Sequence, residues 1–230
     1  MTTRKRVAIL VSGRGANMAA LIAAAKSRDY PANIALVVSN RPQAAALGRA
    51  RAEGIATAVV DHADYGRDRE AFERAIQAEF EAHRIALGVP RGGLDFSYGD
   101  AFPHEADMDQ LHGVDFAKGC YVGQEVVSRM QHRGSARTRT VAIGYAGAAP
   151  QTGIAITAGE RQVGTMGSAA GGRGLALLRL DRVAEAFSRG EELFAGTVPV
   201  RPIKPDWASF AFPDSANSET ANPHHAKAAE

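Results

Sequence analysis

The chain has 230 residues, of which 45% are hydrophobic and 23% charged, enough for one large or two small domains with their own cores. Its 27 basic and 25 acidic side chains are spread along the sequence and leave a net charge of +2, which predicts neither a nucleic-acid nor a membrane partner. The apolar run at residues 7–11 is too short to span a bilayer. Cys120 is the single cysteine, which excludes an intrachain disulfide and favours a reducing, cytoplasmic location.

Residues 1–85 alternate strand patterns with helix patterns. The apolar run 7–11 is followed by a glycine turn and by an alanine-rich helical stretch at residues 17–26. Further strands are predicted at residues 34–39 and 57–60, and further helices at residues 42–53 and 68–84. The last helix carries an apolar face made of Phe72, Ile76, Phe80 and His83. This alternation predicts a truncated, three-stranded parallel Rossmann-like βα unit.

The pattern changes after residue 85 and does not return. Residues 86–137 predict an α+β segment. Residues 138–207 carry short strand-like runs, the last of them at residues 196–200, separated by glycine-rich turns as in a small antiparallel β-barrel. Residues 208–230 predict a disordered, polar tail, in which His224 and His225 are expected to be solvated and not to bind metal. The predicted fold class is therefore α/β plus β, and no metal site is predicted.

A glycine turn, Ser12-Gly13-Arg14-Gly15-Ala16-Asn17, joins the first predicted strand to the first helix. Backbone N–H groups at such a helix N-terminus can hold a phosphate, although two glycines also occur where they only allow a close turn. The wider stretch, residues 6–18 with 38–41 and 50–61, resembles the N-terminus of the glycinamide ribonucleotide formyltransferase (PurN) family over residues 4–85. The resemblance assigns the phosphate of glycinamide ribonucleotide to Gly13, Arg14, Gly15, Ala16 and Asn17.

This first resemblance stops at residue 85. The family continues with a fourth strand and with a catalytic Asn, His and Asp, and nothing after residue 85 corresponds to them. In such sheets the fourth strand covers the free edge of the first. Residues 85–89 are apolar enough to take its place, but Gly88 and Pro90 make them a poor strand. The sequence therefore predicts a strained substitute strand or an exposed edge.

Residues 118–125, Lys-Gly-Cys-Tyr-Val-Gly-Gln-Glu, form the most specific motif in the chain. Cys120 is flanked by Lys118 and precedes a predicted helix, and both a cation and a helix N-terminus favour the thiolate. The helix is expected to carry Val122, Val126, Val127 and Met130. From the residues alone, a small buried cysteine that only packs is the alternative.

The motif resembles the signature of the YgfZ family of folate-binding proteins, which is related to the aminomethyltransferase (GcvT) of glycine cleavage. The resemblance covers residues 82–207, and the signature positions are Lys118, Gly119, Cys120, Tyr121, Gly123, Gln124 and Glu125. It implies tetrahydrofolate, or a formyl or methylene derivative, as cofactor, iron–sulfur enzymes as protein clients, and Cys120 as the functional thiol. The family has a further N-terminal domain that completes the folate cavity, and its replacement here predicts weak binding. Glu105, Glu125 and Arg129 are candidates to line the remaining cavity, with surface ion pairs as the alternative.

Three functions follow from the two resemblances. The favoured one is a tetrahydrofolate-binding, YgfZ-like protein in the assembly or repair of iron–sulfur enzymes. The second is a phosphoribosylglycinamide formyltransferase of purine biosynthesis, truncated and inactive, and the third is a chimera without activity. Binding of tetrahydrofolate, binding of glycinamide ribonucleotide without turnover, and binding of neither ligand distinguish the three.

Overall fold

The computed structural model describes residues 4–133 and 136–213, so the predicted tail residues 214–230, with both of its histidines, lie outside the described part of the chain. The chain divides into two compact units, Met1–Arg84 and Ile85–Glu230. Among the described residues, no helix is both long and apolar enough to cross a membrane.

The first unit alternates strands and helices. Its elements are β1 (Lys5–Val11), α1 (Ala16–Ala25), β2 (Ala32–Ser39), α2 (Ala45–Ala52), β3 (Ala56–Val59), a short 3₁₀ helix (His62–Tyr65) and α3 (Arg69–Ala86), whose last two residues belong to the second unit. All three strands are parallel, in the order β1-β2-β3. The predicted three-stranded βα unit is confirmed. α2 begins three residues after Pro42, where the sequence had predicted its start.

Helices cover both faces of this sheet. On one face, Met18 and Ile22 of α1 and Ala46 of α2 pack against β1 and β2. On the other face, α3 contributes Phe72, Ile76 and Phe80, as its predicted apolar spacing requires.

β1 lies at an edge of the sheet. Within the first unit it pairs with β2 alone, and Leu10 on it is 53% exposed. The substitute strand considered at residues 85–89 does not form, because residues 85–86 end α3 and residues 87–89 are turn and coil. Gly88 instead adopts a φ of 71° and lies against Pro205 and Trp207, and the Trp207 indole N–H donates to the Leu87 carbonyl at 2.8 Å.

The second unit contains a closed antiparallel barrel. Its elements are α4 (Gln124–Arg133), β4 (Thr138–Tyr145), β5 (Ala155–Ala158), β6 (Arg161–Ala170), β7 (Arg173–Arg179), α5 (Leu180–Ser188), β8 (Leu193–Ala195) and β9 (Val198–Ile203). The barrel order is β4-β7-β6-β5-β8-β9. Its core combines strand side chains such as Ile143, Ile156 and Leu178 with Val183 of α5. The predicted barrel is confirmed.

Two details of the barrel differ from the sequence analysis. α5 was not predicted, and the single strand expected at residues 196–200 is a hairpin of β8 and β9 that turns at Gly196, where φ is 61°. The second unit also continues past residue 207, where the tail was predicted to begin. Ala208 is buried and Phe210 packs against the barrel core.

Candidate functional site

The glycine turn predicted to bind phosphate lies between β1 and α1. Gly15 is the N-cap of α1 with a φ of 67°, and a Cβ placed on it would lie 2.7 Å from the Cβ of Ala46. The left-handed conformation and the close approach both require glycine, so Gly15 has a structural role. A Cβ on Gly13 would meet nothing within 4 Å. Gly13 is therefore the position at which a ligand has room.

The same turn leaves the start of α1 open to a ligand. Gly15 supplies no side-chain cap, and the first N–H groups of a helix have no partner within it. Gly13, Arg14, Ala16 and Asn17 are exposed. The structure thus brings the five predicted phosphate-binding residues together at the positive end of a helix dipole, and their binding role stays a prediction.

Polar groups that the sequence analysis did not assign follow β2 and β3. The backbone oxygen of Asn40 accepts from the backbone N–H of His62 at 3.2 Å and lies 2.8 Å from its Nδ1. The side-chain Oδ1 of Asn40 is buried and has no hydrogen-bond partner in the described part of the chain. Asn40 comes directly after one predicted strand and His62 two residues after the next, at the carboxyl edge where α/β sheets bind ligands, and that position was the available signal.

Cys120 lies in an exposed loop ahead of α4. Gly119 and Gly123 on either side adopt φ values of 92° and 85°, which explains why the motif has glycine at both positions. The Gln124 side chain accepts from the backbone N–H of Tyr121 at 3.1 Å, and Lys118 Nζ lies 5.4 Å from the centre of the Tyr121 ring. The exposure of Cys120 excludes the alternative of a cysteine that only packs in a core.

Neighbouring candidates have local partners. Glu125 and Arg129 form an ion pair with each other on the exposed surface of α4. Glu105 accepts from the backbone N–H of Phe102 at 3.0 Å. Glu125 and Arg129 therefore form the surface ion pair of the alternative, the partner shown for Glu105 is a backbone N–H, and lining of a folate cavity stays a prediction. Val122, expected on the helix, precedes α4 and is fully exposed, because α4 begins only at residue 124.

A buried charged cluster joins residues 104–109 to β4. Arg139 donates to both carboxylate oxygens of Asp109, at 2.7 and 2.9 Å, and to Asp107 Oδ1 at 3.2 Å. It also donates to the His104 carbonyl at 2.9 Å and lies 4.5 Å from the centre of the Phe210 ring. Sequence reasoning missed this cluster because its members are about thirty residues apart in the chain.

The two carboxyls of the cluster differ in charge. Burial raises the pKa of Asp107 to about 8, and the nearby Arg139 only partly opposes this effect. Burial acts in the same direction on Asp109, but hydrogen bonds from Arg139 and Gln110 outweigh it and lower the pKa of Asp109. The bidentate pair of Arg139 and Asp109 is therefore the ionic one, and Asp107 is neutral below about pH 8.

His104 connects this cluster with both sides of the Cys120 loop. Its side chain is buried, its ring centre lies 6.2 Å from that of Phe116, and its Nε2 lies 3.0 Å from Gln131 Oε1 on α4. Within the described residues, Nδ1 has no hydrogen-bond partner. No functional role was assigned to His104 from the sequence.

Comparison with known families gives a different match for each of the two units. The model of the formyl transferase family matches residues 5–89, and the model of the CAF17 C-terminal beta-barrel domain matches residues 137–210. Two different family models thus match separate parts of this chain. Neither model covers residues 118–125.

Curated relatives match parts of the chain. An iron-sulfur cluster assembly factor IBA57 homolog of Mycosarcoma maydis is 46% identical over 78 residues, 33% of this chain and 19% of that protein. The human IBA57 factor is 33% identical over 135 residues, 56% of this chain and 37% of that protein. The chain thus spans well under half the length of these relatives. A phosphoribosylglycinamide formyltransferase structure from Brucella melitensis is 43% identical over 36% of this chain and 42% of its own, with a TM-score of 0.34.

Proposed function

We propose that this chain acts in the assembly or repair of iron–sulfur enzymes through its second unit, with Cys120 as the functional thiol. The observation that carries the proposal is the exposed Cys120, in a loop shaped by two glycines ahead of α4, in the same unit as a CAF17-type barrel. Relatives that match the chain are named iron-sulfur cluster assembly factors, which supports this choice.

The chemistry of the loop fits a reactive thiol. Cys120 lies two residues after Lys118 and four residues before the first residue of α4. An exposed position gives a protein client access to it. Iron–sulfur enzymes are the proposed clients.

Tetrahydrofolate, or its formyl or methylene derivative, is the proposed cofactor of the second unit. In the YgfZ family that this part of the chain resembles, a further N-terminal domain completes the folate cavity, and the first unit stands in its place here. A site must enclose most of a ligand to bind it well, and we expect binding to be weak.

A second proposal concerns the first unit. The exposed, uncapped turn at Gly13–Asn17 and the formyl transferase match support binding of the phosphate of glycinamide ribonucleotide. The catalytic Asn, His and Asp implied by the resemblance have no counterpart in the sequence. The proposed role is binding without turnover.

The test of the main proposal is the activity of an iron–sulfur enzyme in cells that lack their own IBA57-type factor. Expression of this chain should restore that activity, and Cys120→Ser should abolish the restoration. Val122→Ala is the matched control, because Val122 is fully exposed in the same loop and carries no thiol. Restoration by the Cys120→Ser chain, or none by the unchanged chain, would contradict the proposal.

A further inference from the structure

The loop that carries Cys120 is attached at two points to one buried side chain. Cys120 lies four residues after Phe116 and four residues before Gln124, the first residue of α4. Phe116 contacts the His104 ring on one side of the loop, and Gln131 of α4 bonds to His104 Nε2 on the other. The segments before and after Cys120 therefore meet at the same residue.

His104 is itself fixed to the barrel. Its carbonyl accepts from Arg139 of β4 at 2.9 Å, and Arg139 is held in turn by the bidentate pair with Asp109. One residue along, the carbonyl of Glu105 accepts from both the backbone N–H and the hydroxyl of Thr140, each at 2.9 Å. Main-chain hydrogen bonds to a barrel strand thus set the position of the His104 ring.

The two contacts use different properties of an imidazole ring. Its ring lies beside Phe116 with the two planes tilted by 46°, and a ring N–H donates to the Gln131 oxygen, which only accepts. The hydrogen is therefore on Nε2. Only 2% of His104 is exposed, so water has little access to the donor of this bond.

We propose that His104 is the positioning residue of Cys120: it ties both sides of the loop to the barrel and so keeps the thiol ahead of α4. The inference deepens the proposed function, because it rests on Cys120 being the functional thiol. His104 does not touch the sulfur, and it acts through Phe116 and Gln131.

Four variants of the full chain separate positioning from simple stability. His104→Ala removes both contacts, whereas His104→Gln keeps a side-chain N–H for Gln131. Phe116→Ala removes the ring contact and leaves the Arg139 cluster intact. Phe102→Ala is the matched control, because Phe102 is 46% exposed against 41% for Phe116 and has no ring contact within the described residues.

The measurement is hydrogen exchange of the amides in residues 117–123, together with the rate of Cys120 alkylation by iodoacetamide at pH 7. In His104→Ala, loss of a buried hydrogen bond should speed exchange in the loop about tenfold. The alkylation rate should also shift towards that of a small free thiol, because the thiol is no longer held in its place ahead of α4. His104→Gln should recover part of both effects, while Phe102→Ala and the exchange of β4–β9 should match the unchanged chain.

Unchanged loop exchange in His104→Ala with the barrel intact would overturn the proposal, as would an equal effect of Phe102→Ala. If His104→Ala also loosens the barrel, Phe116→Ala decides: faster loop exchange supports the proposal, and unchanged exchange overturns it. Because exchange is measured on the chain alone, failure to restore an iron–sulfur enzyme would refute the proposed function without altering this result.

Discussion

Asp107 shows how one buried carboxyl sets a pH dependence. Burial raises its pKa to about 8, whereas an unfolded chain ionises an aspartate near pH 4. Between about pH 4 and pH 8 the folded chain therefore holds a proton at this side chain that the unfolded chain has released. Stability contributed by Asp107 is present at low pH and is lost as the pH rises through this range.

An asparagine side chain cannot ionise, so the Asp107→Asn variant should not lose this stability as the pH rises. The fall in the free energy of unfolding from pH 5 to pH 8 should be smaller in Asp107→Asn than in the unchanged chain by at least about 1 kcal/mol. Urea unfolding followed by fluorescence of Trp207, the single tryptophan, measures it in the second unit. The control is Asp109→Asn. Because the pKa of Asp109 is lowered, its contribution to folding stability is lost as the pH falls, not as it rises. Equal pH slopes in Asp107→Asn and the unchanged chain would refute the assignment.

At the scale of elements, the turn before α1 offers a matched pair of glycines. Gly15→Ala places a Cβ 2.7 Å from that of Ala46 at a φ of 67°, so we expect the first unit to lose about 2 kcal/mol of stability. Gly13→Ala meets open space and should change stability by less than about 0.5 kcal/mol. Hydrogen exchange of the β1 and β2 amides measures both. Similar losses in the two variants would show that the turn is not built as described.

The elements that could be predicted from the sequence are those with a strong local pattern. β1 to β3 and the apolar face of α3 follow from runs and spacings within single segments. α5 was missed although Leu180, Val183 and Ala186 have helical spacing, because it follows β7 without an intervening turn signal. The hairpin at Gly196 was missed because β8 has only three residues.

The motif of the candidate site could be predicted from the sequence, but the contacts that hold its loop could not. The motif at residues 118–125 stands out in the sequence, and the exposure of Cys120 agrees with its expected use. The contacts of His104 with Phe116, Gln131 and Arg139 join residues that are 12 to 35 positions apart. Local sequence patterns do not predict contacts over such separations. Tertiary packing decides them.

At the scale of the whole molecule, the two-part architecture limits what either unit does. We expect titration calorimetry with tetrahydrofolate to give a dissociation constant in the high micromolar range or no binding, because an incomplete cavity encloses too little of the ligand. A dissociation constant below about 1 µM, equivalent to roughly −8 kcal/mol, would show that the chain supplies a complete site.

The chain should not transfer a formyl group to glycinamide ribonucleotide. The reaction needs a general base for the attacking amine and hydrogen-bond donors for the oxyanion, and losing either typically costs about 10²- to 10⁴-fold in rate. An absorbance assay with 10-formyltetrahydrofolate, using protein from a host without its own enzyme, should show background turnover. Turnover of about 1 s⁻¹ would mean that residues beyond the first unit supply the missing base.

The proposed function belongs to the second unit and depends on Cys120. It is tested most directly by radiolabelled iron incorporated into one iron–sulfur enzyme, purified from cells that lack their own IBA57-type factor and express this chain, Cys120→Ser or Gly13→Asp. Gly13→Asp has steric room and places a negative charge where a phosphate would bind, so it disables the first unit's proposed site alone. The account predicts full incorporation with the unchanged chain and with Gly13→Asp, and background incorporation with Cys120→Ser. Incorporation that survives Cys120→Ser, or that is lost in Gly13→Asp, would contradict it.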